Sequence, residues 1–215
     1  MTQICTIFGV EVTPTALLSA LVVTADVVAY YIYNREIFKG KASPSVVVWG
    51  ISSVIGVCNC ASYFVVSEDV VKTALAMENA LACLITFGFT CRYGQVKRLK
   101  WDEVAYLAFG IVGVIAWWIF RQAFYANALF QFGAMVAFWP FLTKTWIAPR
   151  SEPRIPWGIW AAVYLTNLTI VLARWHGSWR ELFYPINYAV LHLAVFLLTL
   201  RAKRKTPEVR ISYTG

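Results

Sequence analysis

The chain has 215 residues, of which 60% are hydrophobic and 14% charged. Soluble domains carry roughly 45–50% apolar and about 25% charged residues, so this composition excludes a water-soluble fold and points to an integral membrane protein. The net charge of +8 is confined to short segments between apolar runs and to the tail "RAKRKTPEVR", a topology-setting pattern that sets nucleic acid aside as a partner.

Apolar runs long enough to cross a bilayer as helices, about 20 residues each, fall at 14–34, 46–66, 70–91, 102–120, 126–146, 157–175 and 182–200. No basic segment with a small-residue cleavage site precedes the first run, so no cleaved leader is expected. Span one carries Asp26 near its middle. A short basic loop with Pro44 leads into span two, "WGISSVIGVCN" from Trp49 to Asn59. Only "SEDVVK" separates spans two and three, which predicts a tight antiparallel turn. Span three holds the adjacent pair Glu78 and Asn79. Span four, "VAYLAFGIVGVIAWWIF", is bounded by "KRLKWDE" and Arg121. Span six opens "WGIWAAVYLTN", from Trp157 to Asn167, and span seven carries Asn187 and His192. Cys5, Cys58, Cys60, Cys83 and Cys91 form no CxxC or Cys/His spacing and read as small reduced hydrophobes. No metal and no cofactor is expected.

Alternate connections differ sharply in basic residues. The loops after spans one, three and five, together with the tail, hold 15 Lys and Arg, whereas the other side holds only Lys72, Arg121, Arg174 and Arg180. The positive-inside rule then predicts an outside N-terminus and a cytoplasmic C-terminus, in the plasma or inner membrane.

Sliding the sequence by 108 residues superposes spans one to three on spans five to seven without a gap. Ala20, Leu21, Val28 and Ala29 meet Ala128, Leu129, Val136 and Ala137. Trp49, Gly50, Ile51 and Asn59 meet Trp157, Gly158, Ile159 and Asn167, and Asn79 meets Asn187. The expected architecture is all-α: seven transmembrane helices as two parallel three-helix repeats, 14–91 and 126–200. A basic loop and linker helix at 92–121 would join them, with a basic tail at 201–215. Parallel repeats related by an axis along the membrane normal are known in transporters, with the site at the repeat interface.

This 3 + 1 + 3 arrangement, with Pro44 ahead of Trp49 and Asn in spans three and seven, resembles the SWEET sugar transporters. The wider group includes semi-SWEETs, PQ-loop proteins and PnuC vitamin-precursor transporters. The Pro-Gln pair of PQ-loop proteins is replaced here by Ile32-Tyr33 and Pro140-Phe141. The resemblance implies substrate contacts at Trp49, Trp157, Asn79 and Asn187.

At 100° per residue, Trp157, Trp160, Tyr164 and Asn167 fall on one arc of span six, and Trp49, Ser52, Gly56, Asn59 and Tyr63 on one arc of span two. If both faces line one cavity it is asymmetric, wide beside Ser52 and Gly56 and aromatic beside Trp160. Aromatic faces with amides suit a neutral polar ligand. Trp49 and Trp157 also suit interfacial anchoring, and Asn59 and Asn167 equally suit bonds between helices. Ionisable groups inside spans commonly serve proton or ion pathways. Asp26 is the candidate for proton coupling, and Glu78, which adjoins Asn79, for a gate or ligand; the two, on separate spans, could pair. His192 points away from Asn187 and reads as a structural hydrogen bond.

A retinal protein needs a lysine in the last helix, and span seven has none. No HExxH, paired-carboxylate or Ser/His/Asp motif points to an enzyme. The expected function is alternating-access transport of a small, neutral, sugar-like solute by facilitated diffusion. Uptake of a vitamin precursor such as nicotinamide riboside, or a ligand-binding receptor of the same fold, is the alternative. The partners are that solute and the lipid bilayer, and the sequence is compatible with a homo-oligomer.

Overall fold

The computed structural model describes residues 5–7, 10–40, 46–93 and 100–201. Pro44, the basic residues Lys41, Lys97 and Arg98, and the tail beyond Arg201 lie outside the described residues. A two-stranded antiparallel hairpin, β1 (Cys5–Ile7) and β2 (Val10–Val12), precedes the helices. Seven long helices follow: α1 (Pro14–Phe38), α2 (Val46–Ser67), α3 (Val70–Tyr93), α4 (Trp101–Phe120), α5 (Ala123–Ile147), α6 (Arg154–Ala173) and α7 (Phe183–Leu200).

The helix starts follow from local chemistry. The Thr13 hydroxyl accepts from the Ala16 N–H at 3.2 Å, with Pro14 in the first turn, so α1 is capped where its apolar run begins. Two residues join α2 to α3. Glu68 adopts a left-handed φ of 50° that ends α2, and the Asp69 carboxylate accepts from the Val71 and Lys72 N–H groups at 2.8 and 3.3 Å, starting α3. The tight turn expected at "SEDVVK" is therefore two residues long.

Six of the helices are long and apolar enough to cross a membrane. α5 is as long, and carries Asn127, Gln131 and Thr145 among its buried residues. Burial across the described residues is inverted relative to a soluble protein. Leu21, Val54 and Trp118 are exposed, while Asp26, Lys72, Asn59, Asn127, Gln131 and Asn167 are buried. An apolar outer surface around a polar interior fits hydrocarbon surroundings, where polar groups must find partners inside.

The packing pairs helices in a regular way. α3 packs on both α1 and α2, and α7 packs on both α5 and α6. Between these groups α1 meets α6 and α2 meets α5, and α4 lies mainly on α5 with a smaller contact to α2. Glycine in the "WGI" stretches serves this packing: a Cβ at Gly50 would stand 3.1 Å from the Phe87 ring on α3, and one at Gly158 would stand 3.0 Å from the Phe196 ring on α7. Cys58, Cys60, Cys83 and Cys91 are free thiols.

Candidate functional site

The faces of α2 and α6 singled out by helical spacing turn inward together. Trp49, Ser52 and Gly56 of α2 and Trp157 and Trp160 of α6 line one cavity of about 120 Å³ between the helices. α1 adds Tyr30 and Tyr33, α3 adds Asn79 and Cys83, α5 adds Phe138 and Phe141, and α7 adds Tyr188 and His192. Small Ser52 and Gly56 stand on one side and the Trp160 indole on another, so the cavity is asymmetric.

The aromatic wall is continuous. Tyr30 packs edge-on against Trp49 and Trp160, with ring centroids 6.4 and 5.3 Å apart. Tyr33 tilts against the same two rings at 5.6 and 5.9 Å. On the other side Phe138 and Phe141 meet Trp157 at 6.0 and 5.6 Å. These contacts follow the 108-residue offset: Tyr30 corresponds to Phe138, Tyr33 to Phe141 and Trp49 to Trp157. The tyrosines and phenylalanines were not among the expected site residues. They were legible in the offset, but each reads as an ordinary apolar helix residue unless compared with its mate.

Asn79 is the amide of the cavity. Its NH₂ donates to the Tyr30 hydroxyl at 2.8 Å and the Tyr164 hydroxyl at 3.1 Å. Its carbonyl faces only the Cys83 thiol, at 3.9 Å. A thiol is a weak donor, so this carbonyl keeps acceptor capacity for a ligand. The Trp157 indole donates to Glu152 at 3.2 Å, and Glu152 is held by Lys144 at 2.8 Å. Trp157 is thus tied down near the start of α6 while its ring lines the cavity.

The other amides are placed elsewhere. Asn187 does not line the cavity; its NH₂ donates to the Gln131 backbone and side-chain carbonyls, both at 3.1 Å. Asn59 accepts from Asn127 at 3.0 Å and from Gln131 at 2.7 Å. Asn59, Asn127, Gln131 and Asn187 together make a buried amide cluster bonding α2, α5 and α7. Asn167, the mate of Asn59, is buried with neither amide atom bonded. The reason lies in the partner helix: where α5 has Asn127 and Gln131, α1 has Ser19 and Val23. Gln131→Leu would remove one partner from each amide, leaving Asn59 to Asn127 and Asn187 to the backbone carbonyl of residue 131, and a net loss of about 0.5–1.5 kcal/mol is expected for each hydrogen bond removed. Thermal unfolding in detergent measures it.

His192 lines the cavity but is held by its Nδ1 at 2.8 Å from the Tyr188 carbonyl and stacks on Tyr164 at 4.3 Å. Asp26 and Glu78 lie outside the cavity lining but next to each other, with the Trp160 indole beside Asp26. No group of three His, Cys, Asp or Glu side chains converges among the described residues.

At the end of the bundle where α3 and α7 begin, two ion pairs cross between the helix groups. Arg174, just past α6, donates to Asp69 at 2.7 Å and also to the Thr15 hydroxyl of α1 at 2.9 Å. Lys72 of α3 is fully buried against Glu181, which lies in the short 3-10 turn Trp179–Leu182 before α7. The Tyr63 hydroxyl donates to the Glu181 backbone carbonyl at 3.2 Å. The cavity lies toward the opposite end, beside Val48, Trp49 and Trp157 at the starts of α2 and α6.

Comparison with protein-family models, curated proteins and solved structures returned no match to this chain.

Proposed function

We propose that the chain is a seven-span membrane transporter that carries a small polar solute by alternating access. Residues 14–91 and 126–200 would act as two three-helix units around the aromatic cavity, with α4 as the tether. The observation that carries this reading is the pairing of cavity residues at a single offset: Tyr30 with Phe138, Tyr33 with Phe141, Trp49 with Trp157 and Ser52 with Trp160. The helix contacts obey the same symmetry, since α1–α3 answers to α5–α7, α2–α3 to α6–α7 and α1–α6 to α5–α2. α5 counts as a seventh span in this reading because its polar residues face the interior. The arrangement also supports the resemblance to SWEET-like transporters.

The cavity chemistry favours a neutral polar solute. Aromatic faces cover a ring, the Asn79 carbonyl accepts from a hydroxyl, and no Lys or Arg among the described residues lines the space. About 120 Å³ is smaller than the roughly 300–1,000 Å³ of ordinary ligand sites, which fits a closed, unloaded conformation. A second reading, a nicotinamide riboside-like solute, is favoured by the Tyr30, Tyr33, Trp49 and Trp160 rings, which offer π faces to a pyridinium.

The charge rule puts the end bearing Asp69, Lys72, Arg174 and Glu181 outside, so the two ion pairs would form an outer latch. Burial alone would raise the Asp69 carboxyl, but the hydrogen bond and charge of Arg174 and the Val71 and Lys72 N–H groups outweigh it and hold it below its ordinary value. A folded value below the unfolded one, about 3.9, gives stabilisation that is present at neutral pH and lost as pH falls through the folded value. The latch is therefore expected to weaken only in strong acid. Asp69→Asn should lower the unfolding temperature at neutral pH and converge with wild type in acid.

Uptake into proteoliposomes, comparing a hexose, a disaccharide and nicotinamide riboside, tests the function. Saturable entry of one is expected. If none moves and none raises the unfolding temperature, the transport reading is wrong.

A further inference from the structure

We propose that Asp26 and Glu78 form a proton-binding carboxyl pair whose state is relayed to the cavity wall through Trp160. The proposal rests on the transport reading for its purpose but not for its test.

Asp26 is fully buried in the middle of α1, and neither of its carboxylate oxygens has a hydrogen bond. Its neighbours are Glu78 of α3, with Oε2 also unbonded, and the Trp160 indole of α6, with Nε1 unbonded. Three unbonded polar groups thus meet at one point, where α1 contacts both α3 and α6. Among the described residues neither carboxyl has an ion pair: Lys72 is committed to Glu181 and Arg174 to Asp69, both at the end of the bundle. Two adjacent carboxylates in a low-dielectric interior resist ionising together, and one proton between them satisfies both, one oxygen donating and the other accepting. A metal would need more ligands, and the described residues supply none there.

The pair has access on one side and a reader on the other. Glu78 lines an open groove of about 750 Å³ between α1 and α3, together with Asn34 and Arg35. The groove is otherwise largely apolar, with Leu81 and Ile85 exposed in it, so the polar route from Glu78 toward the basic end of α1 runs past Asn34 and Arg35. On the inner side Trp160 separates Asp26 from the cavity and touches Tyr30 and Trp157, with ring centroids 5.3 and 5.2 Å away. In the one-proton state the pair shares one negative charge, which attracts the indole N–H. A second proton, taken from water, makes the pair neutral and weakens that attraction. The other titratable groups that face Asp26 are Tyr30 on α1, Cys83 on α3, Tyr164 on α6 and Tyr184 on α7. Tyr and Cys are neutral near pH 7 by their ordinary values, which leaves the carboxyls as the exchanging groups. The contact being modulated belongs to the α1–α6 seam, the one in which Asn167 has no amide partners.

Infrared titration of the full chain in lipid nanodiscs tests this directly. A protonated-carboxyl band should grow as pH falls, disappear in Asp26→Asn and in Glu78→Gln, and persist in His192→Asn. An indole N–H signal should follow the same titration and vanish in Trp160→Phe. A band that survives both carboxyl variants, or an indole signal that ignores the titration, would overturn the pair. In proteoliposomes, a pH gradient should drive hexose accumulation of about tenfold per pH unit for one coupled proton, and Asp26→Asn should abolish the accumulation but retain equilibrating uptake. Uptake indifferent to the gradient would overturn the coupling while keeping the transporter. If hexose, disaccharide and nicotinamide riboside all fail to enter yet the titration remains, the pair stands and the transport reading falls.

Discussion

Lys72→Met is expected to destabilise the protein by about 3–5 kcal/mol, the cost of leaving a buried charge without its partner. The stranded group would be Glu181, itself buried in the turn before α7. Replacing both together, as Lys72→Met with Glu181→Leu, should recover most of the loss, because a well-packed apolar pair often substitutes for a buried ion pair. Denaturant or thermal unfolding of the single and double variants gives the two numbers. The comparison also separates stability from gating. If the latch holds the outer end shut, the double variant should be stable yet label faster with a thiol reagent at a cysteine introduced just below the latch. Equal labelling rates in wild type and the double variant would show that the ion pair is structural only.

Asn79→Ala should lower solute affinity by roughly 10–100-fold, the equivalent of about 1–3 kcal/mol for a lost polar partner in a closed site. Fold stability should fall by less, since the Tyr30 and Tyr164 hydroxyls lose only an accepted hydrogen bond and keep their own O–H donors. Asn187→Ala should behave oppositely, with a clear loss of unfolding temperature and a small change in affinity, because its amide bonds Gln131 rather than the cavity. Binding measured by thermal shift against solute concentration distinguishes the two. Equal effects on affinity would contradict the distinction drawn between the two sites.

The helices were legible to within a few residues, because long apolar runs bounded by charge have few alternative structures in a membrane. Trp49, Trp157, Trp160 and Asn79 could be placed at one cavity from helical spacing and the internal offset. Matched sequence did not bring matched surroundings, however. Asn79 and Asn187 occupy equivalent positions, yet one reaches tyrosine hydroxyls and the other a glutamine, and only the facing helices decide which. Lys72 reads from sequence as an ordinary charge at a span end; its burial depends on Glu181, 109 residues away. Contacts at that range leave no periodic signature. The sequence left the pairing of Asp26 and Glu78 open as one between separate spans, and the packing of α1 on α3 brings them together.

The amide cluster bears on whether either half could ever work alone. Asn59 and Ser62 come from residues 14–91, whereas Asn127, Gln131 and Asn187 come from residues 126–200. Two copies of the first half facing each other would present Ser19 and Val23 where the amides are needed. Two copies of the second would instead give Asn167, at both seams, the Asn127 and Gln131 partners that it lacks in the native pairing. The first half therefore depends on the second for its amide partners, and the two are not interchangeable. Co-expressed as separate pieces, the first half should select the second over another copy of itself, as a key finds the lock cut from the same template.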